Sequence, residues 1–253
     1  MRNKVRDRRI VTQRDTSRRA FLTAAGAASA TTLAGCLGTL GLGDDDVVLD
    51  EPPGYDHLRE GRDSGAVPYP IHGDELPEAT VPAPNHDREV TTTEFVGERH
   101  VLLTFLFTRC PAACLVLAGN LAQVQSDALD GGYDDEIALL PTTFDPEYDT
   151  AEVFDEYSRD RGADPDHESW YCLRPETPER AEAVVEGTFG VFYDSLTPEE
   201  REELDLGPEM YFDHLSSIVL ANADGYVERN YVGGDIPNPG ALVDDVETLR
   251  GRW

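Results

Sequence analysis

Lysine is absent from this chain after Lys4, and the bases that remain are outnumbered: 21 Lys and Arg against 50 Asp and Glu give a formal net charge of −29. Residues 1–36 hold eight of those bases and only two acids, so the remainder carries about −35. Such a surface repels a phosphate backbone, which argues against nucleic acid as a partner. Cysteine is scarce as well, four in 253 residues, and no disulfide framework is implied. No internal repeat is found, and the apolar stretch Thr23 to Leu33 is too short and too rich in Ala and Thr to read as a permanent membrane span. The 40% hydrophobic content opposes a disordered acidic chain. What fits is a folded domain whose self-repulsion is screened by salt, as expected of a halophile, an archaeon. The competing reading is a surface that attracts a cationic partner.

The first residues read as an address. Residues 1–36 contain Ser17-Arg18-Arg19-Ala20-Phe21-Leu22, a twin-arginine export signal, then the short apolar stretch, then Leu33-Ala34-Gly35-Cys36, which resembles a lipobox. The expectation is export, cleavage before Cys36 and lipidation of that cysteine, leaving the protein anchored on the extracytoplasmic face of the cell membrane. An uncleaved N-terminal helix is the alternative. Residues 37–67, rich in Gly, Asp and Pro, read as a flexible acidic tether. Residues 68–253 have the length of a single domain.

Within that domain the chemistry gathers at Thr104-Phe-Leu-Phe-Thr-Arg-Cys-Pro-Ala-Ala-Cys114. A branched and aromatic run, His100 to Phe107, reads as a buried strand, and the apolar pattern from Leu115 to Val124 reads as a helix. Pro111 suits the first helical position, which would make Cys110 the N-cap and set Cys114 about one turn along. Two sulfurs so placed share one metal ion or form one disulfide, and the positive end of the helix favours thiolate in both. Cys172, in a Trp-Tyr-Cys-Leu run, reads as a small buried apolar residue. His57, His72, His86 and His167 lie in loop-like contexts without ligand spacing, and His100 reads as a strand-end residue.

The rest of the pattern alternates. Arg88 to Thr93, Glu136 to Phe144 and Ser169 to Leu173 read as strands. Asp149 followed by Glu152 forms a capping box for a helix from Thr150 to about Arg161. Thr177-Pro178 and Thr197-Pro198 open two further helices. Ser217 to Ala221 and Tyr226 to Val232 form a hairpin across Asn222-Ala-Asp-Gly225, and Pro239 to Leu249 closes the chain as a helix. The expected fold class is α/β, a mixed central sheet with helices on both faces.

Strand, C-P-x-x-C, helix, then D-P-E-x-D-T after the next strand and D-H-x-S before a late hairpin together resemble the SCO/SenC family, over roughly residues 74 to 250. The resemblance implies a thioredoxin-like sandwich that binds copper, as Cu(I) or Cu(II), and helps build the dinuclear copper site of cytochrome c oxidase. The partner implied is the copper-site subunit of a haem-copper oxidase. Carried over by position, the family's metal ligands fall on Cys110, Cys114 and His214, and its acidic segment on Asp145 to Thr150. Asp213 is then either a carboxylate that orients a partner residue or a solvated one. Asp145 either shapes the rim of the site or belongs to a turn and cap. The chain departs from the family in having Leu115 where a proline usually follows the second cysteine, and Ala112-Ala113 where an acid usually stands in the loop.

Two thiolates and an imidazole form a soft set that suits copper on chemical grounds alone. The rival from another class is a thiol–disulfide oxidoreductase that reduces the cysteines of the oxidase copper site, with Cys110 attacking and Cys114 resolving. Against it stand the three-residue spacer, where such enzymes carry C-x-x-C, and the lack of a proline immediately before the facing strand. A peroxidase leaves His214 without a task, and a purely structural lipoprotein leaves the paired thiols without one.

Overall fold

The structure is a computed structural model that describes residues 46–207 and 209–252. The twin-arginine stretch and Cys36 lie outside the described residues. Among the described residues no helix is long and apolar enough to cross a membrane.

A four-stranded mixed sheet organises the domain. β3 (His100–Leu106) lies between β4 (Ile137–Thr143), which is parallel to it, and β7 (Ser217–Ala221), which is antiparallel; β8 (Val227–Val232) pairs antiparallel with β7 at the edge. All seven residues of β3 and all seven of β4 are buried, so both faces of the sheet centre are covered, as the near-continuous apolar runs require. The β7–β8 hairpin turns at Asn222 to Gly225, where Gly225 takes a φ of 90°. Helix α2 (Ala113–Gly131) packs on β3 and β4 and is joined there by α6 (Pro239–Arg250). The turn after α4 (Pro178–Val185) reaches the sheet through Phe189, whose ring lies 5.2 Å from that of Phe105. Helices α3 (Ala151–Asp160) and α5 (Pro198–Glu203) and the short antiparallel pairs β1–β2 (Thr80–Ala83, Arg88–Thr91) and β5–β6 (Tyr193–Ser195, Phe212–His214) complete the domain.

Four sequence expectations are corrected. Helix α2 starts at Ala113 with Ala112 as its N-cap, so Pro111 is not its first residue and Cys110 is not its cap. The chain from Thr108 to Arg109 is bound to two buried carboxylates, Asp149 and Asp145, which postpones the helix. Asp149 is therefore not the cap of α3; Thr150 is, accepting from the N–H of Val153 at 3.3 Å. Ser169 to Leu173 forms no continuous strand, only isolated parallel bridges from Trp170 to Leu139 and from Leu173 to Thr142.

The fourth correction concerns the tether. Part of residues 37–67 is bound to the domain: Leu49 is buried, and Tyr55–Ser64 forms helix α1. The fastening is polar, which is why apolar periodicity gave no sign of it. Glu228, fully buried on β8, accepts from the N–H groups of Val48 and Leu49 at 2.8 and 2.9 Å and from Asn222 Nδ2 at 2.6 Å. This strap joins the sheet beside the β7–β8 turn, where Ala223 N–H donates to His100 Nδ1 at the start of β3. The cysteine loop follows the other end of β3, about 20 Å away at a rise of about 3.3 Å per residue.

Candidate metal centre

The parallel neighbours β3 and β4 each deliver a loop at the same end of the sheet, and the two loops are tied together. Asp149, buried after β4, accepts from the N–H of Thr108 at 3.1 Å and from the hydroxyls of Thr108 and Thr143. Burial outweighs these donors and raises its pKa to about 6. Asp145, also buried, meets the Arg109 guanidinium at 2.5 Å, and that guanidinium is held between the rings of Tyr148 and Tyr211 at 4.1 and 3.8 Å. The D-P-E-x-D-T segment thus serves the cysteine loop through Asp145 and Asp149: it anchors the loop and supplies no ligand.

The loop so fixed presents Cys110, and the first turn of α2 presents Cys114, both buried. The third element is β6, which carries His214 and is held by β5, Tyr193 lying opposite His214. Strand β7 follows at once and pairs with β3, so His214 lies at the cysteine end of the sheet. Its Nε2 is 3.6 Å from Cys114 Sγ, across 100 residues of sequence. The Phe107 and Phe144 rings, 5.8 and 5.4 Å from the imidazole, wall it in.

One ligand atom each from Cys110, Cys114 and His214 lies within 4.8 Å of the other two, the one such group found among the described residues. Bonds of about 2.0 to 2.3 Å from nitrogen and sulfur to a transition metal bring three such atoms onto one ion with small adjustments. His214 Nδ1 is buried with no hydrogen-bond partner among the described residues, so the ring's polar contact is on the sulfur side. A small cleft of about 180 Å³ opens over the group, lined by Leu206, Met210 and Phe212 beside Cys110 and His214.

The two thiols are not equivalent, which corrects the expectation that both sulfurs are thiolates. A hydrogen bond from the Cys114 thiol, joined by one from His214 and by the N–H groups of Cys114 and Ala112, holds the Cys110 pKa well below the ordinary thiol range. Burial pushes Cys114 the other way, and an ionised neighbour adds to the shift. The pair therefore favours the thiolate at Cys110 and the thiol at Cys114. It suits a soft metal, and it equally suits attack by Cys110 on a disulfide.

The remaining sequence expectations sort clearly. Asp213 is exposed, stands opposite Asp194 across β5–β6 and lines the cleft over the metal group, and no hydrogen bond joins it to Cys110, Cys114 or His214 among the described residues. Cys172 is buried against Ser158 Oγ at 3.4 Å, and burial pushes its thiol up to about 12, as suits a packing residue. None of the other histidines joins a metal-binding group among the described residues. Arg109 was missed in the sequence; its place directly before Cys110 is the signal that could have found it.

Comparison with known proteins follows the same lines. Residues 83–250 match the family model SCO1/SenC. Among solved structures, the protein BsSco, described as a member of the Sco family of cytochrome c oxidase assembly proteins with a disulfide switch, is 17% identical, with a TM-score of 0.52 over 73% of this chain and 98% of its own. Yeast Sco1 with copper bound is 19% identical, with a TM-score of 0.51 over 73% of this chain and 91% of its own. A SCO1/SenC family lipoprotein from Bacillus anthracis is 17% identical, with a TM-score of 0.52 over 71% and 95%. No curated protein matches the chain. At such identities the solved structures speak for the fold, which is the expected thioredoxin-like sandwich. The family model covers well over half of the sequence, and the chain belongs to the SCO1/SenC family.

Proposed function

We propose that this protein is an exported, lipid-anchored copper carrier that loads the dinuclear copper site of a haem-copper oxidase subunit. The observation that carries the reading is the convergence of Cys110, Cys114 and His214 within 4.8 Å. Two sulfurs and an imidazole favour copper over the hard cations by ligand softness. Copper is the cargo here. Cys110 offers its sulfur as the thiolate, Cys114 gives up its thiol proton as its sulfur takes the ion, and His214 binds through Nε2 once the ring proton that faces the sulfurs sits on Nδ1 instead. Release reverses the step: incoming thiolates of the recipient replace these ligands one at a time, and Cys114 recovers a proton. Yeast Sco1 holding copper and BsSco in oxidase assembly support the choice of ion and recipient.

The anchor belongs to the same proposal. Lipidation at Cys36 after twin-arginine export would tether the chain at the membrane, and the strap at Val48 and Leu49 would bring that tether in at the end of β3 remote from the cysteines.

The unequal thiols favour a second reading, reduction of the oxidase cysteines by Cys110 with Cys114 resolving. One experiment separates the two: metal content and thiol titration of the full chain in high salt, for wild type and Cys110→Ser. Stoichiometric copper with a thiolate-to-Cu(II) absorption band, both lost in the variant, is the expected result. Absence of copper, with a Cys110–Cys114 disulfide that cycles with thiol reagents, would replace the carrier by the reductase.

A further inference from the structure

Beside the metal group, on the far side of Phe144 and Phe212, lies a groove of about 610 Å³ that the copper chemistry does not use. Its floor is aromatic. Phe144 stacks on Tyr193 with ring centres 4.6 Å apart, Phe212 packs against Phe144 at 5.5 Å, and Phe192 leaves 51% of its surface in solvent. Its rim is acidic: Glu147, Glu179, Glu182, Glu186 and Asp194 line it, and no arginine, lysine or histidine does. Phe192 adds an accessible ring to this floor, at the edge of the acidic rim.

Aromatic faces with carboxylates around them attract a guanidinium or an ammonium, because the ring quadrupole and the anions act with the same sign. The protein already uses this combination next door, where Arg109 sits between Tyr148 and Tyr211 and pairs with Asp145, and again where Arg250 lies over Tyr133 and pairs with Glu136. The groove presents the same chemistry without an occupant residue of its own. Its field is felt within the fold: burial first, then Glu186 and Glu182, push the Tyr193 hydroxyl up to about 12.

We propose that this groove receives an arginine or lysine side chain from the protein with which the metal is exchanged. A cation seated on Tyr193 and the exposed Phe192 lies one buried ring from His214, since Phe144 stacks on Tyr193 at 4.6 Å and meets the imidazole at 5.4 Å. Docking there would set a partner's segment along β5–β6 and across the cleft over Cys110. That the partner is the copper recipient rests on the carrier reading; the preference for a cation does not.

The test is an NMR titration of the full chain, metal-free and reduced, with two short peptides, acetyl-Leu-Arg-Leu-amide and its citrulline counterpart, which keeps shape and loses charge. The arginine peptide should bind about tenfold more tightly, with shifts gathered at Phe144, Phe192 and Tyr193. Phe192→Ala and Glu182→Gln should each remove most of that preference; both side chains are exposed, so the fold survives. Glu60→Gln, on the exposed surface of α1, controls for net charge and should change nothing. Equal binding of the two peptides, or equal loss in Glu60→Gln and Glu182→Gln, would overturn the proposal. Either result is independent of copper retention, so this proposal and the carrier reading fail separately.

Discussion

Asp149 holds the cysteine loop from below: its carboxylate takes the N–H of Thr108 at 3.1 Å and the hydroxyls of Thr108 and Thr143, joining the loop after β4 to the loop after β3. Removing it orphans three donors, the Thr143 hydroxyl in the core and the N–H and hydroxyl of half-buried Thr108. Asp149→Ala should lose about 2 to 3 kcal/mol in denaturant unfolding, and Asp149→Asn clearly less, because the amide oxygen still accepts. Copper retention should fall with stability in the alanine variant. Equal stability in both variants would show that the loop holds itself.

Arg109 works on the same loop from outside. Its planar guanidinium fills the slot between Tyr148 and Tyr211 and neutralises the buried Asp145. A lysine keeps the charge but neither stacks nor forks. Arg109→Lys should therefore free the loop with a stability loss of about 1 kcal/mol, and Cys110 should be alkylated by iodoacetamide several times faster. An unchanged alkylation rate would remove Arg109 from the positioning of Cys110.

The two loops illustrate what the sequence could and could not tell. Strands β3, β4, β7 and β8 were legible because they are buried or half-buried runs with turn residues between them, and α4 and α5 because Thr-Pro announces each start. The start of α2 was not legible. Pro111 is a sound local signal, yet Thr108 and Arg109 are bound to carboxylates 36 and 41 residues away, and no local rule contains those partners. For the same reason Asp149 looked like a helix cap when it is a buried acceptor. The strap on Glu228 was hidden by still longer range, 180 residues from Val48. The ligand triad was readable only because family resemblance pointed to His214; its short strand β6 carries no periodicity of its own.

His100 should make the domain acid-sensitive. Burial lowers its pKa from 6.5 to about 4, so the folded state resists a proton that the unfolded chain accepts. Stability from this residue is therefore complete above pH 6.5 and is lost as pH falls towards 4, by at most about 3 kcal/mol. His100→Gln should flatten the stability profile over that interval relative to wild type, as followed by denaturant midpoints at fixed salt. Parallel profiles would mean that His100 is protonated in the fold.

Asp213 and Asp194 stand directly opposite each other across β5–β6, two exposed carboxylates on the strands that hold His214. Opposed like charges weaken a strand pair by about 0.2 to 1 kcal/mol, and salt screens the repulsion. The chain as a whole, at −29, should accordingly unfold in dilute buffer and gain thermal stability with added KCl. Asp213→Asn should raise the midpoint at low salt and converge with wild type at high salt. Copper retention should stay within about twofold at high salt, because the side chain touches no ligand; a larger loss would restore Asp213 to the metal site.

His214 tests the ligand set most directly. Its ring is held by Phe107 and Phe144, so truncation leaves a small gap at the edge of the core and should leave folding cooperative. With His214→Ala, one of three donors is gone while both sulfurs stay in place. Copper should then be stripped by a competing chelator at concentrations at least about tenfold lower than for wild type, and the Cu(II) absorption should shift in energy without vanishing, since the thiolate remains. The Cys110 thiol should also become less acidic, because the His214 hydrogen bond that helps hold its proton off is lost. Unaltered chelator competition together with an unaltered Cys110 titration would place His214 outside the site and leave a two-sulfur centre; a change in the titration alone would make it a partner of the thiolate and favour the redox reading.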